Sequence, residues 1–110
     1  MKKLSLALDL TDIKLSDEEK KKTPTGVMIM VVDAMFNSYV NMKQGIREDE
    51  RRKYYKIMDA LEKADKDGKT EVELEDDQFG FLKSVKRETP MRPVLIMRRV
   101  EELIDAVNER

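Results

Sequence analysis

A calcium-binding loop is the first chemistry that the residue types suggest, at Asp65-Lys66-Asp67-Gly68 between two helical segments. Setting Gly68 at the sixth position of an EF-hand loop puts Lys63 at the first position and Leu74 at the twelfth. An aspartate and a bidentate glutamate normally supply oxygen ligands at those two positions. Because both are missing, we interpret the segment as a helix end, a turn and a strand, and we predict no metal site.

Five carboxylates follow shortly afterwards, at Glu71, Glu73, Glu75, Asp76 and Asp77. Paired carboxylates can perform acid–base catalysis or hold Mg²⁺ when one is buried or when a substrate phosphate completes the shell. The first two alternate with apolar residues, which predicts the solvent side of a strand, and the last three fit a helix start. A site for a cation or a basic partner is the alternative.

A run of positive charge near the end of the chain has only Glu88 as an acidic neighbour; it comprises Lys83, Lys86, Arg87, Arg92, Arg98 and Arg99. Such a patch could contact phosphates, with an affinity that falls as salt rises. However, no aromatic residue that could stack on bases follows Lys83, and Arg98-Arg99 leads directly into Glu101-Glu102. We therefore favour a solvated face or pairing with the acidic residues, over binding to nucleic acid or to an acidic protein.

The amino-acid composition excludes most of the common kinds of catalytic site. The 110-residue chain has 22 Lys and Arg against 23 Asp and Glu, a net charge of −1, so it lacks the overall basic excess typical of nucleic-acid-binding proteins. It contains no Cys and no His, which removes thiolate chemistry and the commonest general base. No serine lies in a nucleophile motif, and the isolated glycines form no phosphate loop. The sequence predicts a non-enzymatic protein with no cofactor and no small-molecule substrate.

The first half of the chain should place a helix against a strand. Leu4, Leu6, Leu8 and Leu10 alternate with smaller or polar residues, which predicts a strand over residues 3–10, and Ile13 and Leu15 indicate that it continues through a bulge or that a second strand follows. Residues 16–23 are charged and are expected to be an exposed loop. Thr23-Pro24 fits a helix start. Residues 27–32 could form a buried strand, but Asp33, Asn37 and Asn41 draw a polar stripe that favours a helix to Met42.

This central helix is apolar over most of its circumference, and the chain has eight methionines. Filling the core is the simplest role for these side chains, but a small domain could leave one face of the helix for a partner, including a second copy of the chain. Tyr55, on the next helix, is predicted to lie off the apolar stripe. The candidate protein-contact residues are Met28, Met35, Phe36, Tyr39 and Tyr55.

The second half continues with clearer boundaries. An amphipathic helix is predicted from Arg47 to about Lys66, stopped by Gly68, and a short strand over residues 70–74 should pair with residues 3–10. A helix capped by Glu75 should reach Arg87 or Glu88, and Gly80 inside it suggests close approach of another element. Residues 94–107 predict a closing helix.

The order of segments resembles that of short accessory proteins encoded by bacteriophages and prophages. The resemblance rests on MKKLSLALDLTDIKL, TPTGVMIMVVDAMF, EDERRKYYKIMDALEKA and EVELEDDQFGFLKSV, which together span most of the chain. It implies a small viral or prophage protein that binds other proteins, and it carries over no site residue.

We therefore predict a single α+β domain over residues 1–110, with a short two-stranded antiparallel sheet, about four helices and one central apolar helix. The longest apolar run, residues 27–32, is far shorter than the roughly 20 residues that span a bilayer, and no signal-peptide pattern is visible, so a soluble, cytoplasmic protein with no membrane partner is expected. The predicted function is a protein-interaction module whose partner is another protein or a second copy. The alternative is a nucleic-acid-binding regulator that uses Lys83 to Arg99, and an enzyme using Glu73, Asp76 or Asp77 with Mg²⁺ ranks third.

Overall fold

The computed structural model describes residues 1–89 and 95–107, and this part of the chain contains two strands and five helices. The strands are β1 (Lys2–Ser5) and β2 (Glu71–Leu74). The helices are α1 (Asp17–Lys20), α2 (Pro24–Lys43), α3 (Glu48–Lys66), α4 (Asp76–Glu88) and α5 (Leu95–Asp105). This is the predicted α+β fold, with one short helix more than the sequence indicated.

The two strands form the predicted antiparallel sheet, with Lys2 opposite Leu74 and Ser5 opposite Glu71. The strand β1 ends at Ser5, so it is shorter than the strand predicted over residues 3–10. Its partner β2 begins at Glu71 and is preceded by the turn after α3, so the later residues have no strand to pair with there. The amide of Leu6 adds one further bond to the carbonyl of Thr70, at 2.8 Å. The bulged or second strand expected around residues 13–15 is replaced by a turn, in which the Ile13 amide bonds the Leu10 carbonyl at 3.2 Å.

The segment predicted as an exposed loop over residues 16–23 is exposed, but its first part is the helical turn α1. The Ser16 hydroxyl accepts a hydrogen bond from the Glu19 amide at 3.2 Å, and the Glu19 carboxylate accepts one from the Ser16 amide at 2.8 Å. This reciprocal capping box satisfies two amides that a helix start leaves unpaired. It explains why a charged segment with no apolar face still forms a turn of helix.

Residues 27–32 lie in α2, so the helical interpretation is confirmed. Thr23 caps the helix by accepting a bond from the Gly26 amide at 2.9 Å, and Pro24 occupies its first position. Three other helices, α3, α4 and α5, pack against α2. The apolar circumference of α2 is therefore covered mostly by the chain itself.

The remaining helices begin near the predicted residues. Arg47 and Glu75 are the N-caps of α3 and α4, and α4 reaches Glu88 as expected. Gly80 does not mark a close approach: a Cβ atom added there would meet no heavy atom within 4 Å. The closing helix α5 is described from Leu95, and residue 94, where it was predicted to begin, lies outside the described residues.

Candidate functional site

The structure separates the predicted contact residues into a buried group and one exposed ring. Met28, Met35, Phe36 and Tyr39 belong to the core cluster, because α3, α4 and α5 cover the faces of α2 that carry them. Tyr55 is 56% exposed. Of the five predicted contact residues, Tyr55 is therefore the exposed one, and the other four are almost completely covered by the chain itself.

Two hollows flank Tyr55 between α2 and α3, and we call them together the α2–α3 groove. The first has a volume of about 240 Å³ and is lined, besides Tyr54 and Tyr55, by Phe36, Asn37, Val40, Ile46 and Arg51. The second has a volume of about 450 Å³ and is lined, besides the same two tyrosines, mainly by Ile29, Met30, Asp33, Met58, Asp59 and Glu62, with Lys22 and Gly26 at its edge. Apolar floors with charged edges are a common form of protein-binding surface.

A chain of aromatic rings holds Tyr55 in place. Its ring lies 5.4 Å from that of Tyr54, which contacts Phe36 edge to face at 4.6 Å. Phe36 in turn lies 5.5 Å from Phe81, whose ring is 5.9 Å from that of Tyr39. The exposed ring of Tyr55 is thus backed by the half-buried ring of Tyr54 and, behind it, by the buried ring of Phe36. Aromatic side chains supply much of the binding free energy at protein interfaces.

Asp33 lines the second hollow, and both of its carboxylate oxygens accept hydrogen bonds. The Tyr54 hydroxyl donates to Oδ1, and the Asn37 amide donates to Oδ2 at 3.4 Å. Burial, followed by the bond to Asp33 and its charge, raises the pKa of Tyr54 to about 12. The phenol therefore stays protonated at neutral pH and keeps α2 and α3 joined below Tyr55.

Charge is distributed unevenly along the α2–α3 groove. Arg51 is the single charged residue that lines the first hollow, whereas Asp33, Asp59 and Glu62 outnumber Lys22 in the second. The groove therefore has a basic end and an acidic end with Tyr55 between them. This site was not predicted from the sequence, although one signal for it is present: Arg51, Tyr55, Asp59 and Glu62 recur at steps of four, four and three, which places them along one face of a helix.

The candidate phosphate-contact residues are engaged within the protein or spread over its surface. Lys86 contacts Asp105 at 2.5 Å, and Arg99 contacts Asp12 at 2.7 Å and the Asp9 carbonyl at 3.1 Å. The more exposed Arg98 lies 3.8 Å from Glu102. Arg87 bonds the Ser84 hydroxyl at 3.5 Å, Lys83 is half-buried, and Arg92 lies outside the described residues.

The acidic cluster also has structural roles. Glu71 and Glu73 lie on the exposed side of β2, as predicted, and Asp76 contacts the N-terminal amine at 3.3 Å. In the segment that was compared with a calcium-binding loop, Asp65 accepts a hydrogen bond from the Thr23 hydroxyl at 2.7 Å. Within residues 1–89 and 95–107, no cluster of three or more acidic side chains is placed to hold a metal ion.

The fold defines a small α+β protein. No family model, no curated protein and no solved structure matches the chain. None of the helices in the described residues combines the length and the apolar character needed to cross a bilayer.

Proposed function

We propose that this protein is a non-enzymatic protein-interaction module and that its partner docks in the α2–α3 groove. The observation that carries the proposal is the exposure of Tyr55, whose ring rests on Tyr54 between two hollows. Exposed tyrosines in such settings are over-represented among the residues that dominate binding free energy. The lack of His and Cys in the sequence supports a role without catalysis.

Tyr55 is a better anchor than the other exposed large apolar residues of the described segments, which are Met1, Met42 and Leu95. Neither Met42 nor Leu95 lines the groove, and both are flexible aliphatic side chains that lose rotamer freedom on binding. Met1 does not line the groove either, and its amine contacts Asp76 at 3.3 Å. Tyr55 combines a large ring with a fixed position and adjacent hollows.

The nucleic-acid alternative has less support. Lys86 and Arg99 are bound to carboxylates, so phosphate binding would first have to break these ion pairs. The rings of Phe36, Tyr39 and Phe81 are buried in the core, whereas single-strand binding commonly uses exposed rings beside the basic groups. The relation to bacteriophage accessory proteins stays a prediction.

A photo-reactive side chain at the groove tests the proposal. The full chain with Tyr55→p-benzoylphenylalanine is irradiated in extracts of the source organism, with Met42→p-benzoylphenylalanine as the matched control, and adducts are identified by mass spectrometry. We expect an adduct, with another protein or with a second copy, that forms from position 55 and not from position 42.

Binding of the purified partner then decides whether the adduct reflects a specific complex. We expect Tyr55→Asp to weaken the complex at least about tenfold and Met42→Asp to leave it within about threefold. Equal adducts from both positions, or equal affinities of both variants, would contradict the proposal.

A further inference from the structure

We propose that a second copy of this chain occupies the α2–α3 groove, with the two α3 helices antiparallel about a two-fold axis at Tyr55, so that Arg51 of each copy faces Asp59 of the other. This inference rests on the proposed function, because it names the partner of the same groove.

The stripe on α3 has the geometry that a two-fold interface needs. Arg51 and Asp59 lie four residues before and after Tyr55, so each is about 6 Å from it along the helix axis. A two-fold axis makes residue i contact residue j while j contacts i. With the axis at Tyr55, the two tyrosine rings meet and two identical Arg51–Asp59 pairs form beside them.

The uneven charge of the groove favours this occupant. A partner must present acidic groups to the Arg51 end and basic groups to the end formed by Asp33, Asp59 and Glu62. An antiparallel copy of the same surface does so automatically, whereas a parallel copy would place like charges together. The apolar first hollow lies on the Arg51 side of Tyr55, where the ring of the second copy can be buried.

Both charged groups can reach a second copy. Arg51 contacts Glu48 at 2.6 Å, but more than half of each side chain is exposed, and exposed pairs of this kind are easily shared or exchanged. Asp59 is exposed, and no ion pair or hydrogen bond engages its side chain within the described residues. Glu48 comes opposite Glu62 at the rim, where Arg52 lies 3.8 Å from Glu48 and reduces the repulsion.

The test is an exchange of charges followed by sedimentation equilibrium of the full chain from about 10 µM to about 1 mM. Arg51→Asp and Asp59→Arg should each raise the dimer dissociation constant at least about tenfold, because each puts like charges face to face twice. The double variant Arg51→Asp plus Asp59→Arg should return it to within about threefold of the natural chain. Lys14→Asp and Glu18→Arg, at exposed positions outside the groove, are controls that should leave it unchanged. Circular dichroism verifies that each variant is folded.

A natural chain that stays monomeric to about 1 mM would overturn the inference, as would single variants that dimerise normally or a double variant that does not recover. The cross-linking experiment separates this failure from failure of the proposed function. An adduct at the mass of two chains supports the second copy. An adduct with a different protein, together with a monomeric chain, leaves the proposed function standing and removes the second copy. No adduct specific to position 55 contradicts both.

Discussion

The Tyr39 hydroxyl near the end of α2 donates a hydrogen bond to Oε2 of Glu50 in the first turn of α3, with 2.8 Å between the oxygens. The other oxygen of Glu50 accepts a bond from the Arg47 amide at 3.3 Å. Burial raises the pKa of Glu50, but the bonds from Tyr39 and Arg47 outweigh it and hold the pKa below its ordinary value. The Glu50 carboxylate therefore links the end of α2 to the start of α3, and it thereby sets the width of the α2–α3 groove.

Removing the Tyr39 hydroxyl should destabilise the protein. In Tyr39→Phe the partly buried Glu50 carboxylate loses a donor, and we expect the free energy of unfolding to fall by about 1–2 kcal/mol. Tyr55→Phe is the matched control, because its exposed ring makes no hydrogen bond within the described residues, and it should change stability by less than about 0.5 kcal/mol. Urea denaturation at neutral pH measures both. If Tyr39→Phe were as stable as Tyr55→Phe, the hydrogen bond between Tyr39 and Glu50 would not stabilise the junction of α2 and α3.

Strong alkali should weaken the fold through the phenols of buried Tyr39 and half-buried Tyr54. Burial and the bonds to Glu50 and Asp33 raise the pKa values of Tyr39 and Tyr54 from 10.0 to about 12, whereas in the unfolded chain both ionise near 10. Between these values the folded state binds more protons than the unfolded state, so stability is fully present below pH 10 and decreases as pH rises towards 12.

Urea denaturation between neutral pH and pH 12 of the natural chain and of Tyr39→Phe plus Tyr54→Phe checks this expectation. The double variant should be less stable at neutral pH but should lose less stability above pH 10. It also serves as the control for every other effect of high pH, which the two proteins share. Parallel pH profiles would contradict a role for the two phenols.

Two methionines of α2 differ in burial and should therefore differ in their contribution to stability. Met35 is fully buried and Met42 is 44% exposed, although the sequence offers no strong reason to treat them differently. Met35→Ala should cost about 2–5 kcal/mol because it leaves a cavity. Met42→Ala should cost less than about 0.5 kcal/mol. If both variants lost the same stability in urea, the packing of α4 and α5 against α2 would be in doubt.

The same helix shows what the sequence could and could not predict. The cap at Thr23 and the polar stripe of α2 are local, so its start and its helical state were predictable. Its apolar circumference requires a cover, but periodicity does not tell whether the same chain or a second copy provides it. Ser16 and Glu19 have the spacing of a capping box, so the helical turn α1 was predictable, although we predicted an exposed loop from the charge of the segment. The spacing of Arg51, Asp59 and Glu62 on α3 was visible in the sequence, but the two hollows beside Tyr55 and the presence of Asp33 in one of them appear only once α2 and α3 are packed.

The adjacent arginines of α5 should differ in their effect on stability. Arg99 is 24% exposed and joins α5 to residues 9–12 through Asp12 and the Asp9 carbonyl, whereas Arg98 is 77% exposed. Arg99→Ala should cost about 1 kcal/mol or more, and Arg98→Ala less than about 0.5 kcal/mol. Arg99→Lys should recover little, because an ammonium group cannot bond both acceptors in the same fork. Urea denaturation measures the stability of the three variants. Equal losses of stability in Arg98→Ala and Arg99→Ala would show that the bonds of Arg99 to residues 9–12 do not stabilise the fold.

Two glycines should respond to alanine with opposite signs. Gly80 lies in α4 where a Cβ atom would meet nothing within 4 Å, so Gly80→Ala should stabilise the protein by about 0.5–1 kcal/mol by lowering the entropy of the unfolded chain. Gly68 ends α3 with a φ of 68°, a left-handed conformation that costs other residues energy, so Gly68→Ala should destabilise by about 1 kcal/mol. Thermal and urea denaturation measure both. A loss of stability in Gly80→Ala would contradict the open surroundings of this position.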